Sequence, residues 1–176
     1  MYFPMIKDLY ENELGKMIGT FYSDIFGYDI EVWYDKSIPQ EYVEKNIQYL
    51  NNMDYDFLKT ICIAVKRYYQ GYKQIMPDLC DEIPENILTD FEAEPTSILT
   101  YLSIGTYSLD KWNAADENTL ILHLSGECAW SGDEGITIAA RNNQLLYVGP
   151  WKETFGIWND SIKPDRISEM FNYARN

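Results

Sequence analysis

Hydrophobic positions near the start of the chain alternate with polar ones, which is the period of a β-strand. In Tyr28–Tyr34, Ile30, Val32 and Tyr34 alternate with charged or aromatic neighbours. The preceding stretch Lys16–Tyr22 is also rich in β-prone residues, and Ser-Asp-Ile-Phe-Gly separates the two. This arrangement predicts a pair of strands.

The apolar spacing then changes to the helical period. Pro39 favours a first helical turn, and Val43, Ile47 and Leu50 form an apolar stripe as far as about Asn52. Asp54 is suited to cap a longer second helix, which Pro77 ends. The apolar stripe of that helix recurs at helical spacing and consists of Phe57, Ile61, Ala64, Val65, Tyr68, Tyr72 and Ile75.

The remainder of the chain is a proline-rich connection followed by sheet. Residues 77–97 contain three prolines, which argue against a continuous helix and leave room for one helical turn at Glu85–Leu88. The predicted strands are Ser97–Leu109, Thr119–Cys128, Gly135–Ala140 and Gln144–Val148. Arg-Asn-Asn between the last two predicts a hairpin, since asparagine tolerates positive φ. A final helix begins at Pro164.

The order of strands, two helices, strands and one helix does not alternate, so a doubly wound parallel fold is disfavoured. We predict an α+β fold in which an antiparallel sheet packs against two central helices and a C-terminal helix. The 176 residues suit a single domain, 1–176. Its sub-parts would be 1–76, with the strand pair and two helices, and 97–176, with the sheet and last helix.

Charge is concentrated in the middle of the chain. Gln74–Ala140 contains thirteen acidic residues and a single basic one, Lys111, which leaves twelve of the chain's fourteen net negative charges in this segment. Such a segment repels nucleic-acid phosphates and attracts cations or basic proteins. The alternative is that the acids only keep the surface soluble.

Several classes of protein are excluded by composition. Charged residues interrupt the first seventeen positions, so no signal peptide is expected, and no apolar run has the length of a membrane span. The odd cysteine count, with Cys62, Cys80 and Cys128 far apart, argues against a disulfide framework and favours the cytoplasm. No motif calls for a cofactor.

The stretch 123–134 supplies the main chemical alternative to binding. His123, Glu127, Asp133 and Glu134 would form a metal or acid/base cluster if the chain brought them together, as in a carboxylate- and metal-dependent hydrolase. The simpler interpretation is a structural histidine, with Gly132 and Gly135 in a tight turn or bulge.

Tryptophans offer a further alternative. Trp112, Trp130, Trp151 and Trp158 lie in the C-terminal half. Exposed on one face, they would suit a carbohydrate-binding module, whereas most tryptophans of a mixed domain pack in the core or at a sheet edge.

The stretch Leu124–Gly149 resembles a group of uncharacterised bacterial domains with a hairpin of the form Trp-x-x-x-Glu-x-Gly, a strand, a polar turn and a strand ending in Val-Gly. Trp130, Glu134, Gly135 and Gly149 carry the match, although here Glu134 directly precedes the glycine. Domains of this kind are thought to include immunity proteins that neutralise secreted toxins. The resemblance implies a small binding protein and no catalytic residues.

Together these observations predict a non-enzymatic acidic binding protein, of the immunity type, that docks a basic protein such as a toxin and binds neither nucleic acid nor membranes. Carboxylates would pair with lysine and arginine of the partner, and aromatic side chains would anchor the contact. The predicted binding residues are Asp81, Glu82, Glu85, Asp90, Glu92, Glu94, Trp130, Asp133 and Glu134.

Overall fold

A computed structural model describes residues 5–78, 84–111, 113–114, 116–151, 158 and 170–175. The elements given for these residues are seven strands, three α-helices and one 3₁₀ helix. The strands are β1 Lys7–Glu11, β2 Lys16–Ser23, β3 Tyr28–Asp35, β4 Leu102–Leu109, β5 Ile121–Cys128, β6 Ser131–Arg141 and β7 Gln144–Gly149. The helices are α1 Gln40–Asn51, α2 Tyr55–Ile75, α3 Ile87–Ala93 and the 3₁₀ helix Pro95–Tyr101.

The strands form one sheet in chain order, β1 to β7, and the predicted α+β class is confirmed. Neighbouring strands pair antiparallel except β3 and β4, which are parallel. A parallel pair needs a long crossover, and here the four helices between β3 and β4 provide it. Both predicted sub-parts therefore contribute strands to the same sheet.

Local signals set the limits of the two central helices as predicted. Pro39 precedes α1, and Asp54 caps α2 by accepting hydrogen bonds from the backbone N–H groups of Asp56 and Phe57. Their apolar faces cover one side of the sheet. A small apolar cavity marks this contact, with lining residues that include Leu50, Leu58 and Ile61 of the helical layer and Leu122, Leu124 and Ile138 of the sheet.

The structure changes several predicted boundaries and adds one strand. The strand predicted at Ser97–Leu109 begins only at Leu102, because Pro95 and the Glu94 side chain, which accepts from the Thr96 N–H at 3.3 Å, start a 3₁₀ helix. The turn at Glu85–Leu88 is instead the longer α3. The strand predicted from Thr119 starts at Ile121. The strand predicted at Gly135–Ala140 begins four residues earlier, at Ser131. Strand β1 was not predicted, because its mostly exposed residues carry no alternating apolar pattern.

The two hairpins after β5 use different turn chemistry. Asn142 and Asn143 have φ of 48° and 61°, which confirms the hairpin predicted between β6 and β7. The tight turn between β5 and β6 consists of Ala129 and Trp130. After this turn the register of the two strands shifts, so that residues 132–135 form a bulge in β6. Gly135, at the end of the bulge, has a φ of 57°. Most of the predicted last helix lies outside the described residues. Within the part that is described, Met170 is helical.

A glycine on β5 allows β4 and β5 to approach each other closely. A Cβ at Gly126 would lie 2.1 Å from the Ser103 carbonyl oxygen and 2.6 Å from the Ile104 Cα, which are backbone atoms that cannot rotate away. At Gly105 on β4 a Cβ would meet nothing within 4 Å. Gly126 therefore permits an approach of the two strands that any side chain would prevent.

We expect Gly126→Ala to lower the free energy of unfolding by about 1–3 kcal/mol, because β4 must move to admit the methyl group. Gly105→Ala is the matched control and should change stability by less than about 1 kcal/mol. Urea denaturation of the two variants and the parent measures the difference. Equal stability of the two variants would contradict the close approach.

Candidate functional site

The two ends of the sheet differ in how their acidic side chains are paired. The end where β4 begins, here called the acidic end, carries seven carboxylates on α3, its flanks and the β5–β6 hairpin. They are Glu85, Asp90, Glu92, Glu94, Glu127, Asp133 and Glu134. Within the described residues, none of the seven forms an ion pair with a lysine or arginine.

The opposite end carries most of the ion pairs. Three of the four described pairs lie there: Lys16–Asp110, Lys36–Glu11 at 3.0 Å and Lys111–Asp35 at 3.6 Å. Lys111, the single base of the acidic middle segment, is thus used away from the acidic end. These pairs neutralise part of the charge at the opposite end, where Glu13, Glu41 and Glu117 are exposed without an ion pair in the described chain. The fourth described pair, Lys7–Asp29 at 3.5 Å, lies beside the start of β3 and involves none of the seven carboxylates.

One backbone and one side-chain hydrogen bond join the parts of the acidic end. The N–H of Ala129, in the β5–β6 turn, donates to the Tyr101 carbonyl at the end of the 3₁₀ helix over 3.0 Å. The Tyr101 hydroxyl donates to the Asp90 carboxylate on α3. Segments far apart in sequence therefore meet at one place.

Hydroxyl groups rather than cations hold two of these carboxylates. The Tyr55 hydroxyl donates to Glu94 at 2.9 Å, and Thr96 donates to the same oxygen from both its hydroxyl and its N–H. These hydrogen bonds, with a small contribution from Lys59, lower the pKa of Glu94. Lys66 on α2 instead lies over the Phe91 ring, 4.6 Å from its centroid. Glu94 thus stays ionised, and its charge is not cancelled by a contact ion pair.

The predicted binding residues are placed as follows. Glu85, Glu92, Glu94, Asp133 and Glu134 are exposed, and Asp90 is partly buried. Asp81 and Glu82 lie outside the described residues.

Trp130 requires a correction. It is only 2% exposed and packs edge-on against Tyr68 and Tyr69 of α2, so it belongs to the core and not to a contact surface. Two aromatic residues outside the predicted binding set are better placed for contact. Trp151 is 64% exposed, and its backbone N–H donates to the Glu134 carbonyl at 2.7 Å. Tyr55 is 51% exposed and lies beside Glu94. A sequence pattern does not distinguish an exposed from a buried aromatic side chain, which is why Trp151 and Tyr55 were not among the predicted binding residues.

A cleft of about 290 Å³ opens at the acidic end, between the start of β4 and the end of β5. Its lining residues are Thr100, Tyr101, Leu102, Ser103, Glu127, Cys128 and Ala129. One of them, Glu127, belongs to the cluster considered above as a candidate metal or acid/base site.

His123 has a structural environment. Its ring lies 5.6 Å from that of Trp158, and its Nδ1 is 3.5 Å from the Asn113 amide nitrogen. Burial lowers the pKa of His123 to about 4, against a smaller opposing effect of Asp110. Within the described parts of the chain, no group of three or more histidine, cysteine, aspartate or glutamate side chains is arranged to hold a metal ion.

The two described cysteines are poor nucleophiles. Both are free and buried, and burial raises the pKa of Cys62 and of Cys128 to about 12, so that the thiolate is scarce at neutral pH. Of the tryptophans considered for carbohydrate stacking, Trp158 is 4% exposed and Trp112 lies outside the described residues, which leaves Trp151 at the surface.

Comparison with known proteins gave one match. Residues 7–155 match the model of a domain of unknown function, DUF6985. No curated protein and no solved structure matched the chain. Among the helices of the described residues, none combines the length and the apolar character that crossing a membrane requires.

The low pKa of His123 predicts a specific loss of stability in acid. In the unfolded chain the imidazole takes up a proton near its ordinary pKa of 6.5, whereas in the folded state it does so only near 4. The contribution of neutral His123 to the free energy of unfolding is therefore fully present above pH 6.5. It is lost as the pH falls from 6.5 to 4, which lowers the free energy of unfolding by up to about 3 kcal/mol.

His123→Gln removes this titration and keeps a polar side chain. Because all other groups are shared, the difference between parent and variant in free energy of unfolding should shrink on acidification across that window and stay constant above pH 7. Urea denaturation at several pH values measures it. If the free energies of unfolding of parent and variant stayed parallel over the whole pH range, the imidazole would have the same pKa in the folded and unfolded states, which would contradict the prediction.

Proposed function

Since the chain belongs to the DUF6985 family, a domain of unknown function, its role has to be inferred from its own surface, and we propose that it is a non-enzymatic binding protein whose acidic end docks a cationic protein. The observation that carries the proposal is the set of seven carboxylates at one end of the sheet without ion pairs to lysine or arginine in the described chain.

Such an end is suited to recognition by charge. Exposed carboxylates on α3 and the β5–β6 hairpin produce a negative field that accelerates the approach of a basic surface and disfavours acidic competitors. Trp151 next to Glu134 and Tyr55 next to Glu94 provide rigid aromatic area that can be desolvated, and interface energy concentrates in such residues.

More specifically, we propose that the partner is a basic toxin and that binding inhibits it. It is supported by the resemblance of Leu124–Gly149 to domains thought to include immunity proteins. The β5–β6 hairpin within that stretch also supplies Glu127, Asp133 and Glu134 to the acidic end. A toxin whose substrate groove is lined by lysine and arginine would be blocked by direct occupation of the groove.

Two variants of equal net charge test whether position or total charge decides binding. The first, Glu85→Gln/Glu92→Gln/Asp133→Asn, removes three exposed charges from the acidic end. The second, Glu13→Gln/Glu41→Gln/Glu117→Gln, removes three exposed charges from the opposite end. None of the six side chains makes a described hydrogen bond, so both variants should fold.

We expect the first variant to bind poly-L-lysine about tenfold more weakly than the parent at low ionic strength, since each exposed pair contributes about 0.5 kcal/mol. The second should bind like the parent, and high salt should remove the difference. Isothermal titration calorimetry gives the three dissociation constants. Equal weakening of both variants would reduce the effect to net charge and overturn the proposal.

A further inference from the structure

The cleft at the acidic end has a distinct construction. Its lining includes the last paired position of β4 and β5, Leu102 opposite Cys128, both buried. The hydrogen bond from the Ala129 N–H to the Tyr101 carbonyl, 3.0 Å long, extends the pairing by one step, and both residues also line the cleft. The volume of about 290 Å³ is at the lower limit of small-molecule sites, so the space suits one side chain or a small group.

The polar groups of the cleft are mainly hydrogen-bond acceptors. Glu127 is exposed, and its carboxylate makes no ion pair in the described chain. The Thr100 hydroxyl donates its proton to the Ser97 carbonyl at 2.7 Å, which leaves its oxygen lone pairs to accept. The Tyr101 hydroxyl is likewise committed as a donor, to Asp90. Among the residues that the structure describes, no lysine or arginine lines the cleft.

We infer that this cleft is a binding site for a guanidinium group, supplied by an arginine side chain of the docking partner. A guanidinium carries a full charge and five N–H donors in a plane, so it can satisfy a carboxylate and hydroxyl acceptors at once. The partly buried ring of Tyr101 adds an aromatic surface for the cation. The inference rests on the proposed function, because it assigns to the acidic end the side chain that its partner inserts.

Two arrangements of the same residues support a specific site over diffuse attraction. Asp90 lies behind the Tyr101 hydroxyl, so a second negative charge acts on the cleft without lining it. Ser103 and Glu127 are directly opposite one another on β4 and β5, and both are exposed. A guanidinium placed between them would contact a carboxylate on one strand and a hydroxyl on the other.

The test uses N-acetyl-L-arginine amide as the probe and its neutral isostere N-acetyl-L-citrulline amide as the control. In ¹⁵N–¹H NMR titrations of the full chain, the arginine probe should shift the backbone amides of residues 100–103 and 127–129 saturably. The citrulline probe should not shift them. Shifts confined to other regions, or equal effects of the two probes, would overturn the inference.

Variants separate the charge of the cleft from its shape. Glu127→Gln should weaken binding of the arginine probe about fivefold, whereas Glu117→Gln, which removes an exposed charge at the opposite end of the sheet, should leave its dissociation constant within about twofold. Ser103→Leu retains the charge but fills the cleft, and it should also abolish the saturable shifts. An unchanged dissociation constant in both Glu127→Gln and Ser103→Leu would exclude the cleft as the site.

The outcomes distinguish this inference from the proposed function. If the acidic-end triple variant loses poly-L-lysine binding while the arginine probe leaves the cleft amides unshifted, the docking end stands and the arginine site is excluded. If the probe occupies the cleft while the two triple variants bind poly-L-lysine equally, the cleft remains a guanidinium site and the docking proposal fails.

Discussion

The parallel pairing of β3 with β4 is the constraint from which the arrangement of the molecule follows. Parallel strands cannot be joined by a tight turn, so the chain leaving Asp35 must return to the end of the sheet where β3 began before it enters β4 at Leu102. The helical layer is this return path. Because α3 and the 3₁₀ helix are the last steps of this path, the carboxylates of α3 and its flanks reach the same end as the β5–β6 hairpin, and the acidic end is a product of topology.

A buried polar contact holds the return path at a fixed position on the sheet. The Asn46 side chain of α1, fully buried, accepts from the Ile121 N–H at 2.6 Å and donates to the Tyr42 carbonyl at 2.8 Å. The Tyr107 hydroxyl donates to the carbonyl of the same Ile121. Apolar contacts alone would let α1 slide, but a shift here would leave buried polar groups unpaired, at about 1–3 kcal/mol each.

Features that depend on neighbouring residues could be predicted, and features that depend on distant ones could not. Pro39, Asp54 and the Asn142-Asn143 pair act within one turn of chain, so the central helices and the last hairpin follow from sequence. The parallel junction and the meeting of Tyr101 with Ala129 depend on segments far apart in sequence. The carboxylates were identified by composition, but the cleft that Glu127 lines is formed only by strand pairing.

The hydroxyl partners of Asp90 and Glu94 show how a fold can order carboxylates and still keep their field. A lysine at ion-pair distance would fix the carboxylate and cancel most of its charge, whereas a tyrosine hydroxyl fixes it with a neutral donor. The unneutralised carboxylates repel one another, which opposes folding and favours association with a cationic surface by the same electrostatic term. An end that only kept the protein soluble would have no need of ordered carboxylates, since mobile acidic side chains solvate equally well. Their ordering by Tyr55 and Tyr101 is therefore the feature that favours a docking surface over a solvating one.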